Sequence, residues 1–81
     1  MVDVEVTDNA IKKAKGYQVK KKLDKQVRFL QENPRHNSLK FQNFKEVPGV
    51  WKFRVDKHYW GLVTKPGKNR VRVYDVIKHP N

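Results

Sequence analysis

Two stretches in the second half of the chain alternate between apolar and polar or charged side chains. Trp51, Phe53 and Val55 take turns with Lys52, Arg54 and Asp56, and Val71, Val73 and Ile77 take turns with Arg70, Arg72 and Tyr74. A period of two is that of a β-strand with one buried face. Tyr59 to Thr64 lies between them and reads as a third strand. Lys65-Pro66-Gly67-Lys68-Asn69 has the composition of a hairpin loop. The chain therefore predicts a three-stranded meander with one apolar and one cationic face.

The first half supplies what covers the apolar face. Val2, Val4 and Val6 alternate with Asp3 and Glu5 and predict a first strand. Thr7 or Asp8 can cap a short helix over 9–15, with Ala10, Ile11 and Ala14 at helical spacing and Gly16 as its stop. Over 18–32, Val19, Leu23, Val27 and Leu30 recur at helical intervals while lysines and Arg28 fill the other faces. Asn33-Pro34 ends this helix, because proline disfavours a helical conformation in the residue before it. So short a connection predicts two antiparallel helices. Leu39, Phe41 and Phe44 are apolar anchors in an otherwise irregular stretch, and Pro48-Gly49 marks a turn.

The expectation is an α+β fold of order β-α-α-β-β-β, with the N-terminal strand and helical hairpin packed on a small antiparallel sheet. At 81 residues the chain has room for one domain, residues 1–81, with one small core. No cysteine is present, so packing alone must hold it. No apolar run approaches the roughly 20 residues that cross a bilayer, and the start lacks the pattern of a signal peptide. A soluble, cytoplasmic protein without membrane contact is expected.

Parity places Lys52, Arg54, Arg70, Arg72 and Tyr74 together on the face that the helices leave open. Nineteen Lys and Arg against eight Asp and Glu give a net charge of +11, a field that favours polyanions. Arginines and aromatics sharing strands point to nucleic acid, although an acidic protein would satisfy the same field. The three histidines are scattered and no cysteine joins them, so no metal site is expected. Ser38 is the only serine and has no nucleophile-elbow context, and no Gly-rich phosphate loop precedes a helix. No cofactor is expected.

The run N-P-R-H-N-S-L-K-F from Asn33, the segment W-K-F-R-V-D-K-H-Y-W-G-L-V from Trp51 and the terminal R-V-R-V-Y-D-V-I-K-H-P together resemble the RelE/ParE superfamily of small bacterial toxins. That family pairs a helical hairpin with a basic antiparallel sheet carrying a Trp-x-x-Arg-Val strand, a Tyr-Arg strand and a last strand ending near a histidine. The resemblance implies a toxin of a type II toxin-antitoxin pair, with a small acidic antitoxin as partner. Its RelE-like branch cuts messenger RNA on the ribosome, and its ParE-like branch poisons DNA gyrase. A plain nucleic-acid-binding module is a third reading of the residues themselves.

Metal-free RNA cleavage needs a base for the 2′-hydroxyl, an acid for the leaving oxygen and cations at the developing charge. His79 is the natural proton carrier. Arg54 can grip two phosphate oxygens with a planar guanidinium, and Lys52 and Arg72 support it. The resemblance points to the same Arg54 and His79. It departs at Trp60, which stands where the family has an arginine. Tryptophan cannot stabilise an oxyanion by charge but can stack on an unpaired base, so binding can outlast catalysis there. If Trp60 shares the cationic face, Tyr59, Gly61 and Val63 point to the core. Arg70, Arg72 and Tyr74, with Lys57 and His58 in the turn after Asp56, complete the expected RNA-binding set. Trp51 is expected as a core anchor, and His36 as a local hydrogen-bonding residue after the helix.

Overall fold

The computed structural model describes residues 2–78. Its elements are β1 (Asp3–Val6), α1 (Asp8–Gly16), α2 (Lys20–Glu32), a short 3-10 turn (Asn37–Leu39), β2 (Gln42–Asn43), β3 (Trp51–Asp56), β4 (Tyr59–Gly67) and β5 (Arg70–Lys78). The strands form one sheet in the order β1-β5-β4-β3-β2. The meander β3-β4-β5 is antiparallel, as its pattern predicts. The first strand joins it alongside β5 in parallel, so the sheet as a whole is mixed. A two-residue β2 extends the opposite edge.

Thr7, not Asp8, caps α1: its hydroxyl accepts from the Ala10 N–H at 3.2 Å. Gly16 is the last helical residue but not the chain-reversing one. The left-handed position falls two residues later, on Gln18 at φ 62°. The Val19 N–H reaches back to the Ala14 carbonyl (2.8 Å) and the Gln18 N–H to Lys15 (3.0 Å). This paired closure satisfies two terminal carbonyls of α1 and requires positive φ at Gln18. α2 ends on Asn33, which is extended as the following proline demands.

The helices cover one face of the sheet. Leu23 and Leu30 of α2, Leu39 of the 3-10 turn, and Phe53, Val63, Val73 and Val76 of the strands are fully buried together. Trp51 and Tyr59 are half-buried against this core, as are Val4 and Val6. Gly61 lies opposite Phe53 across β3 and β4. A Cβ on it would stand 2.5 Å from Cε1 and Cζ of the Phe53 ring, so only glycine lets that ring lie flat on the sheet. The β4-β5 hairpin is longer than its composition suggests. Gly67 pairs with Arg70, which leaves a two-residue turn at Lys68 and Asn69. The register slips between Thr64 and Gly67, where Pro66 cannot donate to the ladder.

Gly61→Ala is expected to destabilise the fold by about 2 kcal/mol through overpacking against Phe53, read as a lower urea midpoint at unchanged slope. Gln18→Gly is expected to stabilise it by about 1 kcal/mol by relieving the left-handed strain, and the same titration will show it.

Candidate functional site: a cation-roofed aromatic on the open sheet face

The face turned away from the helices has its own small apolar layer. Trp60 and Leu62 of β4 are 4% and 6% exposed although neither belongs to the helix-side core. Among the described residues no helix covers them, and long side chains from β3 lie over the Trp60 ring. Lys52 Nζ lies 4.6 Å from the Trp60 ring centre, and the Arg54 guanidinium carbon lies 5.6 Å from it. Phe44 flanks the group, 5.6 Å from the same Lys52 nitrogen. Cations over an indole face gain roughly 0.5–2 kcal/mol each, most when water is excluded. Tyr59, Gly61 and Val63 point to the core, as expected if Trp60 shares the cationic face.

Neither cation of this group is neutralised nearby: among the described residues, no carboxylate pairs with Arg54 or Lys52. The Arg54 Nε is buried and has no hydrogen-bond partner there. A buried donor without an acceptor costs on the order of 1–3 kcal/mol, and such groups collect where a ligand completes them. The backbone beneath is fixed from the other side of the sheet. The Gln26 side-chain amide donates to the Arg54 carbonyl at 2.7 Å and to the Ser38 carbonyl at 3.1 Å. Gln26 is 6% exposed and was not singled out from the sequence. Its only signal there is a polar residue set between Leu23 and Leu30 on the apolar stripe of α2.

The other expected members are arranged differently. Arg70 and Arg72 do share this face, but β1 runs beside them in register, with Asp3 opposite Arg70 and Glu5 opposite Arg72. Their Nε atoms lie 3.6 Å and 3.1 Å from those carboxylates. The strand β4 separates this compensated corner from Arg54. Tyr74 is the extra residue of a bulge in β5, between partners of Leu62 and Val63. Its carbonyl accepts from the Asn9 side chain at 2.9 Å. Burial first, and the neighbouring Asp75 charge second, push its hydroxyl above the ordinary tyrosine range, so it is a proton donor rather than a base at neutral pH. Lys57 and His58 form the exposed turn after β3. His36 stacks on Phe29 at 4.0 Å and its Nδ1 accepts from the Ser38 N–H at 3.2 Å, the local role expected of it.

His79 lies outside the described residues. The last described residue, Lys78, pairs with Tyr59, and Ile77 pairs with Trp60, which pairs in turn with Arg54. The final strand thus ends beside the row that carries Arg54. Among the described residues no group of three or more His, Asp or Glu side chains could hold a metal ion. No helix there is long and apolar enough to cross a membrane.

No protein-family model and no curated protein matches the chain by sequence. Solved structures share its architecture throughout. The YoeB/ParE toxin from Agrobacterium tumefaciens superposes with a TM-score of 0.74 at 16% identity, covering 98% of this chain and 100% of that one. YafQ from E. coli strain BL21(DE3) gives 0.71 at 16% identity, with 98% and 94% covered. The heterotetrameric YoeB-YefM toxin-antitoxin complex from Staphylococcus aureus gives 0.67 at 15% identity, with 100% and 99% covered. The chain has the RelE/ParE-type toxin fold.

In this toxin-type fold the turn that presents β3 and β4 is held by Asp56. Its carboxylate accepts from the His58 N–H at 2.7 Å and pairs with Lys22 of α2 at 3.2 Å. Burial alone would raise its pKa. The His58 and Tyr59 amides and the Lys22 ammonium outweigh burial and hold it below the ordinary 3.8. A carboxylate with a lowered folded-state pKa contributes stability that is present above 3.8 and is lost as pH falls through the lower folded value. Asp56→Asn keeps an acceptor for His58 but removes the charge. It is expected to cost about 1 kcal/mol at neutral pH and nothing once the wild-type carboxylate is protonated, a difference that urea unfolding at neutral and strongly acid pH will show.

Proposed function

We propose that this protein is the toxin of a type II toxin-antitoxin pair and acts as a ribosome-dependent endoribonuclease on messenger RNA. The observation that carries the reading is Arg54, a guanidinium without a carboxylate partner among the described residues and with its Nε buried and unsatisfied there. Lys52 shares its indole platform. A phosphodiester placed over these two cations would meet two positive charges and supply the missing acceptor. As the 2′-hydroxyl attacks, negative charge builds on the phosphoryl oxygens, where fixed cations lower the barrier without reorganising. In this reading His79 carries the proton to or from the reacting oxygens.

The buried Trp60 changes the division of labour expected from its sequence position. Covered by Lys52 and Arg54, it serves as the surface that orients both cations rather than as a stacking platform for a base. It leaves the face with fewer charges than a Tyr-Arg strand would supply. That supports a second reading, a ParE-like gyrase inhibitor or a catalytically impaired relative that only binds nucleic acid. A toxin of either kind would pair with a small acidic antitoxin, which a plain nucleic-acid binder need not do. The YoeB-YefM complex is a toxin-antitoxin pair on the same fold, and the +11 charge of this chain suits an acidic binder.

Translation of a defined message on purified ribosomes, with new RNA ends mapped by primer extension, separates the readings. Cuts that require the ribosome are expected, with rates reduced about 10²–10³-fold in Arg54→Ala and strongly in His79→Ala, while circular dichroism stays native. Unchanged cutting by Arg54→Ala removes the nuclease reading. Absence of cuts combined with inhibition of gyrase supercoiling establishes the second one.

A further inference from the structure

A separate cationic surface lies on the helix-bearing side of the sheet. Trp51 and Lys52 are successive residues of β3 and face opposite sides, and Trp51 packs toward the helix-side core. Nearby, the segment after α2 and the far part of β4 line a groove of about 480 Å³ that includes Arg35, Lys40, Phe41 and Lys65. A smaller depression of about 120 Å³ shares Pro34, Phe41 and Lys65 with it and adds Lys68 and Arg70, the latter already paired with Asp3. The larger volume lies within the roughly 300–1,000 Å³ of small-molecule sites. No aspartate or glutamate lines either one. Among the described residues, Arg35, Lys40, Lys65 and Lys68 form no ion pair.

Aromatic rings interleave with these charges. Lys65 Nζ lies 4.3 Å from the Trp51 ring centre and 5.4 Å from that of Phe41, and both rings are half-buried, with surface left over. Four uncompensated cations around two partly open aromatic rings match the chemistry of an unpaired nucleotide run. Successive phosphates answer the charges, and a base lies on a ring. A duplex hides its base faces and cannot use the rings. An acidic protein would answer the charges but has no need of the rings.

We infer that this groove binds a segment of single-stranded RNA, with Arg35, Lys40, Lys65 and Lys68 on the phosphates and Phe41 against a base. The choice of RNA rests on the proposed action on messenger RNA; the groove itself does not. It is distinct from the Lys52 and Arg54 face, from which it is reached around β2, a two-residue edge strand. RNA held there would be gripped outside the reacting phosphate, adding affinity without taking part in chemistry.

Fluorescence anisotropy with a labelled, roughly 12-nucleotide single-stranded RNA tests this, run in parallel with cleavage on ribosomes. Lys40→Ala/Lys65→Ala is expected to weaken binding about tenfold and to lower the slope of log affinity against log salt by about 1.4, or about 0.7 for each of two phosphates. Phe41→Leu, which stays apolar but removes the ring, is expected to lose severalfold in affinity with no change of slope. Unchanged affinity and slope in the double-lysine variant overturn the inference, as does equal loss toward a duplex of the same length. If the wild type cuts nothing yet binds RNA through these lysines, the nuclease reading fails and the groove stands.

Discussion

The structure depends on a sheet with two apolar faces and helices for only one of them. On the helix side the problem is solved by ordinary packing of Leu23, Leu30 and Leu39 onto Phe53, Val63 and Val73. On the other side Trp60 and Leu62 leave water with no helix above them, and among the described residues long side chains of β3 lie over the indole. The stems of Lys52 and Arg54 do that work, because long cationic side chains can lay methylenes over apolar surface while their charge rests on an aromatic face. The charged working face and the burial of Trp60 are therefore one arrangement. Removing either cation would open the indole, and removing the indole would release both cations.

The helix side also fixes that arrangement, through α2. Lys22 and Gln26 are four residues apart and so lie on the same side of the helix. One meets Asp56 and the other the Arg54 carbonyl. The end of β3 is thus tied at two points to a helix packed on the far side of the sheet. Such second contacts restrict the backbone from which Arg54 projects, and restriction of this kind would position its guanidinium for the proposed phosphate contact. The left-handed closure at Gln18 belongs to the same problem, since it sets where α2 begins relative to α1.

Much of this was legible in the sequence. Alternation located β3 and β5, the segment between them gave β4 as far as Thr64, helical spacing located α1 and α2 to within two residues at each end, and parity assigned Lys52, Arg54, Arg70 and Arg72 to one face. What was not legible has physical reasons. Alternation says which side a residue faces but not which strand lies beside it, so the compensation of Arg70 and Arg72 by Asp3 and Glu5 could not be read. Turn composition at 65–69 looked like loop because proline and glycine also mark a bulged strand end. Trp60 was put on the cationic face only conditionally, through the family's arginine at its position, and its burial there depends on neighbouring strands. Gly16 suggested a helix stop by residue type, whereas closure geometry put the left-handed residue on Gln18.

The uneven distribution of partners among the cations narrows how this face can be used. Arg70 and Arg72 already have carboxylates within the chain, so a polyanion arriving there must compete with Asp3 and Glu5, and exposed pairs of this kind contribute little either way. Around Arg54 and Lys52 no such competition exists among the described residues, and an arriving anion meets a guanidinium whose Nε is buried without an acceptor there. The face is thus graded, with its attraction concentrated at the row Arg54, Trp60 and Ile77, beside which the last strand ends. An acidic antitoxin of the proposed kind would have to meet the same gradient. A carboxylate set at Arg54 would stand where the scissile phosphate is proposed to lie, so occupation by inhibitor and by substrate would be mutually exclusive for electrostatic reasons alone.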